Sequence, residues 1–157
     1  MIIDIAKIPV EGTDYEGELP PSILELENDK FVRAEKPVYC RFHVQVASHE
    51  LVVQGTIEVE LECECSRCTE FFSTTLRDSS FLRAYEVPEG TETVDLTGDI
   101  REDILLTLPS FPLCSAECKG LCPKCGRNLN EGPCSCGGTE DNSGPWRELD
   151  DLKLPPE

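Results

Sequence analysis

Eight cysteines stand in four close pairs along this chain: Cys65/Cys68 in CSRC, Cys114/Cys118 in CSAEC, Cys122/Cys125 in CPKC and Cys134/Cys136 in CSC. Cysteines at such spacings hold a metal ion, exchange electrons or form disulfides. Tetrahedral zinc takes four ligands at about 2.3 Å, and two cysteines separated by two residues can grip one ion from a single turn. CPKCG suits such a turn. Pro123 stiffens it, and Gly126 can take the positive φ that points backbone amides at sulfur. A redox pair needs a Cys-x-x-Cys opening a helix in a βαβ context, whereas CPKCG lies among Gly, Asn and Pro with no helical pattern behind it. A disulfide framework belongs to exported chains. The N-terminal MIIDIAKIPVEG carries no positive leader and its apolar run is broken at Asp4 and Lys7, so the expectation is a cytoplasmic protein with reduced thiols. Metal binding is the reading these residues favour.

Four pairs suggest two four-cysteine zinc sites. The eight residues between Cys125 and Cys134 suit a compact hairpin-like module holding Cys122, Cys125, Cys134 and Cys136. Cys65 and Cys68 would then be completed by Cys114 and Cys118. The alternative joins Cys114, Cys118, Cys122 and Cys125 and leaves Cys65/Cys68 to pair with Cys134/Cys136. In either arrangement sulfur fills all four positions, which leaves no place for water or substrate and makes both zinc ions structural.

The elements that must position these residues are mostly strands. In VYCRFHVQVA, Val38, Cys40, Phe42, Val44 and Val46 alternate with Tyr39, Arg41, His43 and Gln45, the period of a half-buried strand. TIEVELECEC repeats the pattern, with Ile57, Val59, Leu61, Cys63 and Cys65 on one face and Glu58, Glu60, Glu62 and Glu64 on the other. FFSTTLRDSSFLRAYE reads as a third strand, bent or interrupted near DSS. CSRCTE is then a hairpin turn. Cys40 and Cys63 face inward in mid-strand, where cysteine acts as a small hydrophobe, and they are left out of the metal sites. Residues 1–36 read as an edge strand, a loop around EGTDYEGELPP and more extended chain. Residues 86–98 read as an acidic connection.

In DIREDILLTLP, Asp99 is the expected helix cap with Glu102 three residues on, and Ile100, Ile104, Leu105 and Leu108 form an apolar stripe that Pro109 ends. The fold class is α+β, mainly antiparallel: a β-meander with one short amphipathic helix near 99–108 and a C-terminal cysteine-rich zinc module. The expected domains are a β-rich domain over 1–113, the zinc module over 114–138 and an acidic, flexible tail over 139–157, in which WRELDDLKL has the makings of a helical turn or two.

Charge narrows the partners. The chain has 31 acidic and 14 basic side chains and a formal net charge of −17. That repels phosphate backbones and anionic membranes and attracts basic partners. Lys119, Lys124 and Arg127 give the second module a local basic surplus where an RNA contact would fall, and Arg67 is expected to solvate the surface or offset thiolate charge. The Glu row is either the solvated side of a sheet or an acidic strip for a cationic protein. No stretch approaches the roughly 20 apolar residues of a membrane span. His43 and His49 have no nucleophile at motif spacing, and no phosphate-binding glycine loop is present, so the chain does not read as an enzyme.

LECECSRCTEFF followed by DIREDILLTLPSFPLCSAECKGLCPKCGRNLNEGPCSC closely resembles the YceD family of large ribosomal RNA subunit accumulation proteins, over roughly residues 57–138. The matching motif residues are Cys65, Arg67 and Cys68, then Cys114, Cys118, Gly120, Leu121, Cys122, Pro123, Cys125, Gly126, Asn128, Leu129, Asn130, Cys134 and Cys136. The resemblance implies a non-enzymatic role in accumulation of large-subunit rRNA, hence ribosome assembly. It also implies a basic large-subunit ribosomal protein or an assembly intermediate as partner, because genes of the family often neighbour that of such a protein. Direct binding of pre-ribosomal RNA through the basic knuckle and a zinc- or redox-responsive regulator are the rival functions.

Overall fold

A computed structural model describes residues 1–136; the tail expected over 139–157, with its WRELDDLKL segment, lies outside the described residues. Among the described residues, seven strands and one α-helix follow the order β1 (Ile2–Asp4), β2 (Thr13–Leu19), β3 (Val32–Arg33), β4 (Val38–Ala47), β5 (Glu50–Glu64), β6 (Phe71–Glu86), β7 (Thr93–Asp95) and α1 (Thr97–Thr107). The fold is α+β with an antiparallel sheet, as the alternation indicates. β4, β5 and β6 form the meander, and β2 pairs with β4 along its whole length. β3 meets β5 at Cys63 and Glu62, beyond the point where β4 leaves it at Glu58. Since β6 occupies the other edge of β5, β3 continues the line of β4.

The alternation in the three long strands becomes an inside and an outside. Val38, Cys40, Phe42, Val44, Ile57, Val59, Leu61 and Cys63 are buried, with the Phe42 and Phe81 rings 4.8 Å apart between centroids. The interruption expected near DSS is a bulge. Gly55 pairs with Phe81 and Ile57 with Asp78, so Thr56 faces both Ser79 and Ser80. Asp78 stabilises the bulge by accepting from the Ser80 N–H at 2.9 Å and its hydroxyl at 2.6 Å. Bulges add twist and bend a strand toward closure. Gly55 allows the bend, because a Cβ there would lie 2.0 Å from the Arg41 carbonyl oxygen.

α1 closes the core by burying Ile100 and Ile104. Each contributes about 1.5–3 kcal/mol relative to exposure. Asp99 does not cap this helix. The helix begins at Thr97, two residues early, because the Asp95 carboxylate accepts from the Thr97 N–H at 2.9 Å and its hydroxyl at 2.6 Å. Asp99 instead sits in the first turn and accepts from the Tyr85 hydroxyl at 2.6 Å, locking the helix to β6. Nearby, burial raises the Asp103 carboxyl to about 6, helped by the neighbouring Asp78 carboxylate.

Three further expectations change. The EGTDYEGELPP segment is not a loop, since Thr13–Leu19 is the edge strand β2. The chain that follows, expected to be extended, is not so throughout, since Pro21–Leu24 forms a 3-10 turn that buries Leu24. The acidic connection contains β7, which pairs with β1. The alternation of β2 is hidden because it exposes every second residue and leaves the others only half-buried. A weak apolar contrast gives little periodicity to read.

Candidate metal centre

The β5–β6 hairpin ends in a tight turn that presents Cys65 and Cys68. The Cys65 N–H donates to the Glu70 carbonyl at 2.9 Å, and Thr69 N–H returns to Cys65 carbonyl at 2.9 Å. Thr69 takes a φ of 60°, the same left-handed region that Gly126 takes at 71° after the second cysteine of CPKC. α1 then hands the chain to the hairpin tip, where Ser66 N–H bonds the Pro112 carbonyl at 2.8 Å. Cys114 and Cys118 arrive beside Cys65 and Cys68. The structure gathers the sulfurs as Cys65/Cys68/Cys114/Cys118 and Cys122/Cys125/Cys134/Cys136, all within 4.8 Å of one another in each cluster. Cys40 and Cys63 stay buried in the core, outside both clusters.

The donor sets fit a tetrahedral soft ion. Four sulfurs at about 2.3 Å from a centre stand about 3.8 Å apart. The Cys65–Cys118 and Cys68–Cys114 separations are both 3.8 Å, and Cys122–Cys134 is 3.4 Å. Backbone amides aim at the sulfurs, as a thiolate requires. Burial works to raise the Cys65 thiol, but the N–H groups of Cys114, Arg67 and Cys68 outweigh it and pull it to about 6. Cys122 is drawn to about 6 by the N–H groups of Cys125 and Lys124. Each cluster could therefore hold one metal ion.

Arg67 does not simply solvate the surface. Its Nη1 donates to the carbonyls of Cys118 at 3.0 Å and Ala116 at 3.3 Å, strapping the hairpin tip to the loop it meets. Gly120, at φ 73°, packs so closely that a Cβ would lie 2.9 Å from the Arg67 carbonyl oxygen. Leu121 N–H then donates to that carbonyl at 2.9 Å. A further participant is Asn130, whose Nδ2 lies 3.3 Å from the Cys118 sulfur. The motif contained this residue, but no local spacing assigns it a role, because its contact spans twelve residues.

The rest of the surface offers no comparable chemistry among the described residues. His43 Nδ1 lies 2.7 Å from Asp14, and Ser79 and Ser80 line the same groove as His43. β5 lies between them, however, because His43 pairs with Gln54 and Gln54 with Leu82. Two strand spacings, about 9.5 Å, separate β4 from β6, too far for a histidine to activate a serine. The Glu row is half-buried rather than free. Lys36 holds Glu60 at 2.7 Å and Arg77 approaches Glu58 to 3.9 Å. Glu62 stands opposite Ser73 on β6 and Arg33 on β3, and Glu64 opposite Phe71, whose ring the Arg33 guanidinium covers at 4.1 Å.

Residues 82–153 match the model of the family described as large ribosomal RNA subunit accumulation protein YceD. A similar protein of Mycobacterium leprae, uncharacterized, is 28% identical over 135 residues, covering 76% of this chain and 60% of its own length. The chloroplastic YCED homolog 1 of Arabidopsis thaliana is 37% identical over 57 residues, 36% of this chain and 18% of that protein. The large ribosomal RNA subunit accumulation protein YceD of Haemophilus influenzae is 25% identical over 133 residues, 74% of this chain and 76% of its own. The chain thus spans less than two thirds of the length of the mycobacterial and plant relatives. No solved structure matches. The resemblance to the YceD family carried by the cysteine motifs is borne out by these matches.

Proposed function

We propose that this chain, sharing the cysteine-bearing segment of the YceD family, is a non-enzymatic cytoplasmic factor for large ribosomal subunit assembly. It supports accumulation of large-subunit rRNA, carries two structural zinc ions and acts through its acidic surface on a basic ribosomal protein. The observation that carries this reading is the pair of all-sulfur clusters, six of whose eight cysteines fall in the segment matched to a family named for rRNA accumulation. Cys65, Cys68, Cys114 and Cys118 would hold one ion and Cys122, Cys125, Cys134 and Cys136 the other. Zinc bound by four sulfurs ties chain segments together and leaves no open position for catalysis.

The acidic surface supports a cationic protein partner over RNA. The net charge of −17 steers basic chains and repels phosphate. On the outer sheet face, Glu62 and Glu64 have no cation bound to them among the described residues, whereas Glu58 and Glu60 already face Arg77 and Lys36. Arg33 stands opposite Glu62 without an ion pair to it, so the partner's lysines and arginines would find in Glu64 and Glu62 the acidic groups of this row not already paired.

Two measurements test the reading. Depleting the protein from its host should lower large-subunit rRNA relative to small-subunit rRNA, and the wild-type chain but not Cys65→Ser/Cys68→Ser should restore it. Pull-down with basic large-subunit ribosomal proteins should be salt-sensitive and weakened by Glu62→Gln/Glu64→Gln, since exposed charges act over about 10 Å at 0.1 M salt and far less at 1 M. Stronger RNA binding by the same variant, abolished by Lys119→Ala/Lys124→Ala/Arg127→Ala, would transfer the function to direct rRNA contact.

A further inference from the structure

The two cysteine clusters are not independent devices joined by a tether. Only Lys119, Gly120 and Leu121 separate Cys118 of the first from Cys122 of the second. The loop that the second cluster brackets, residues 126–133, folds back over this bridge. Leu129 N–H donates to the Gly120 carbonyl at 2.9 Å, Cys122 N–H to the Arg127 carbonyl at 2.8 Å, and Leu121 and Asn128 form an isolated β-bridge. The fold-back delivers Asn130 to the first cluster. Lys119 N–H donates to Asn130 Oδ1 at 2.8 Å, which fixes the amide's orientation because a backbone N–H can only donate. Nδ2 is thereby turned to the Cys118 sulfur at 3.3 Å and to Asn128 Oδ1 at 2.9 Å.

We infer that Asn130 couples the two clusters: filling the second site closes the 126–133 loop and holds the Asn130 amide on the Cys118 sulfur, so the second ion strengthens binding of the first. The inference rests on the proposed metal sites and adds an order and a mechanism to their loading. Beyond these hydrogen bonds the loop buries little apolar surface. Arg127, Asn130 and Glu131 are exposed, and Leu129 is only half-buried. Tying Cys122 and Cys125 to Cys134 and Cys136 therefore strengthens a closure that rests otherwise on these hydrogen bonds. Outer-shell partners of metal ligands typically contribute ten- to hundred-fold in affinity. By linkage, the first ion must strengthen the second by the same factor.

Metal titration of the full reduced chain with Co²⁺, followed by Zn²⁺ competition and read by thiolate-to-metal absorption, tests this. Cys134→Ser/Cys136→Ser leaves only the first cluster intact. Its affinity should fall about ten- to hundred-fold below that of the first cluster in the wild type. Asn130→Ala and Asn130→Asp should produce a fall of similar size with all eight cysteines present. Asn130→Asp keeps the acceptor for Lys119 N–H and replaces the donor facing sulfur with an anion, so it changes the contact without removing the side chain. Adding Asn130→Ala to the double serine variant should then cost little more, since both act through one contact. A first-cluster affinity unchanged by either set, in a wild-type chain that binds two ions, overturns the coupling alone. A wild-type chain that binds no metal overturns the coupling and the zinc reading together.

Discussion

Cutting one ligand from each cluster should destabilise the sheet unequally, and the structure sets the ratio. Cys68 and Cys114 face each other across 46 residues of chain, whereas Cys122 and Cys134 are 12 apart. A cross-link stabilises by restricting the unfolded chain, and the loop-closure relation assigns about 4 kcal/mol to the longer loop and about 3 kcal/mol to the shorter. Burial widens the gap. Cys68 is 2% exposed and lies in an apolar cluster with Cys65, Cys118, Phe72 and Leu113, so Cys68→Ser also leaves a hydroxyl without its former partners, at about 1–3 kcal/mol. Cys134 is half-buried at the periphery. At saturating zinc, Cys68→Ser should therefore lower the unfolding free energy by about 5–7 kcal/mol and Cys134→Ser by about 3 kcal/mol or less. The assay is urea unfolding of both variants and the wild type, followed by the circular dichroism of the sheet. Equal losses, or a larger loss for Cys134→Ser, would refute the argument that the first cluster clamps the sheet to the segment after α1.

Three other outcomes follow from the same geometry. Protein purified without chelator should contain two zinc ions per chain, each with sulfur-only ligation by X-ray absorption, and Cys40→Ala should leave that ratio unchanged. Gly55→Ala should destabilise by at least about 1–3 kcal/mol, because its Cβ would meet the Arg41 carbonyl oxygen at 2.0 Å and the strands must separate; thermal unfolding measures it. Asp103 is raised from 3.8 to about 6 in the folded protein, chiefly by burial. The folded state thus holds the extra proton, and this group's contribution to stability is full below about pH 4 and lost as pH rises through about 6. Asp103→Asn should remove that loss and raise the thermal midpoint at pH 7 relative to wild type.

Much of this protein can be read from local spacing. The alternation in VYCRFHVQVA and TIEVELECEC is enough to define β4, the second half of β5 and the inward placement of Cys40 and Cys63, because a strand's two faces follow directly from its period of two. The turn chemistry of CPKCG is equally local. Other features depend on chain segments meeting. A Cys-x-x-Cys pair specifies half a site, and four half-sites can be matched in more than one way. Which sulfurs come together is decided by α1, whose buried Ile100 and Ile104 anchor it on the core so that the chain returns to the hairpin tip. The same holds for Arg67, which reaches carbonyls 49 and 51 residues away, and for Asn130, whose donor reaches a sulfur twelve residues back. The helix start moved from Asp99 to Thr97 for a related reason. Asp99 has the composition of a cap, but Asp95 already holds the Thr97 N–H and Tyr85 on β6 claims the Asp99 carboxylate, a competition visible only once helix and sheet are packed together.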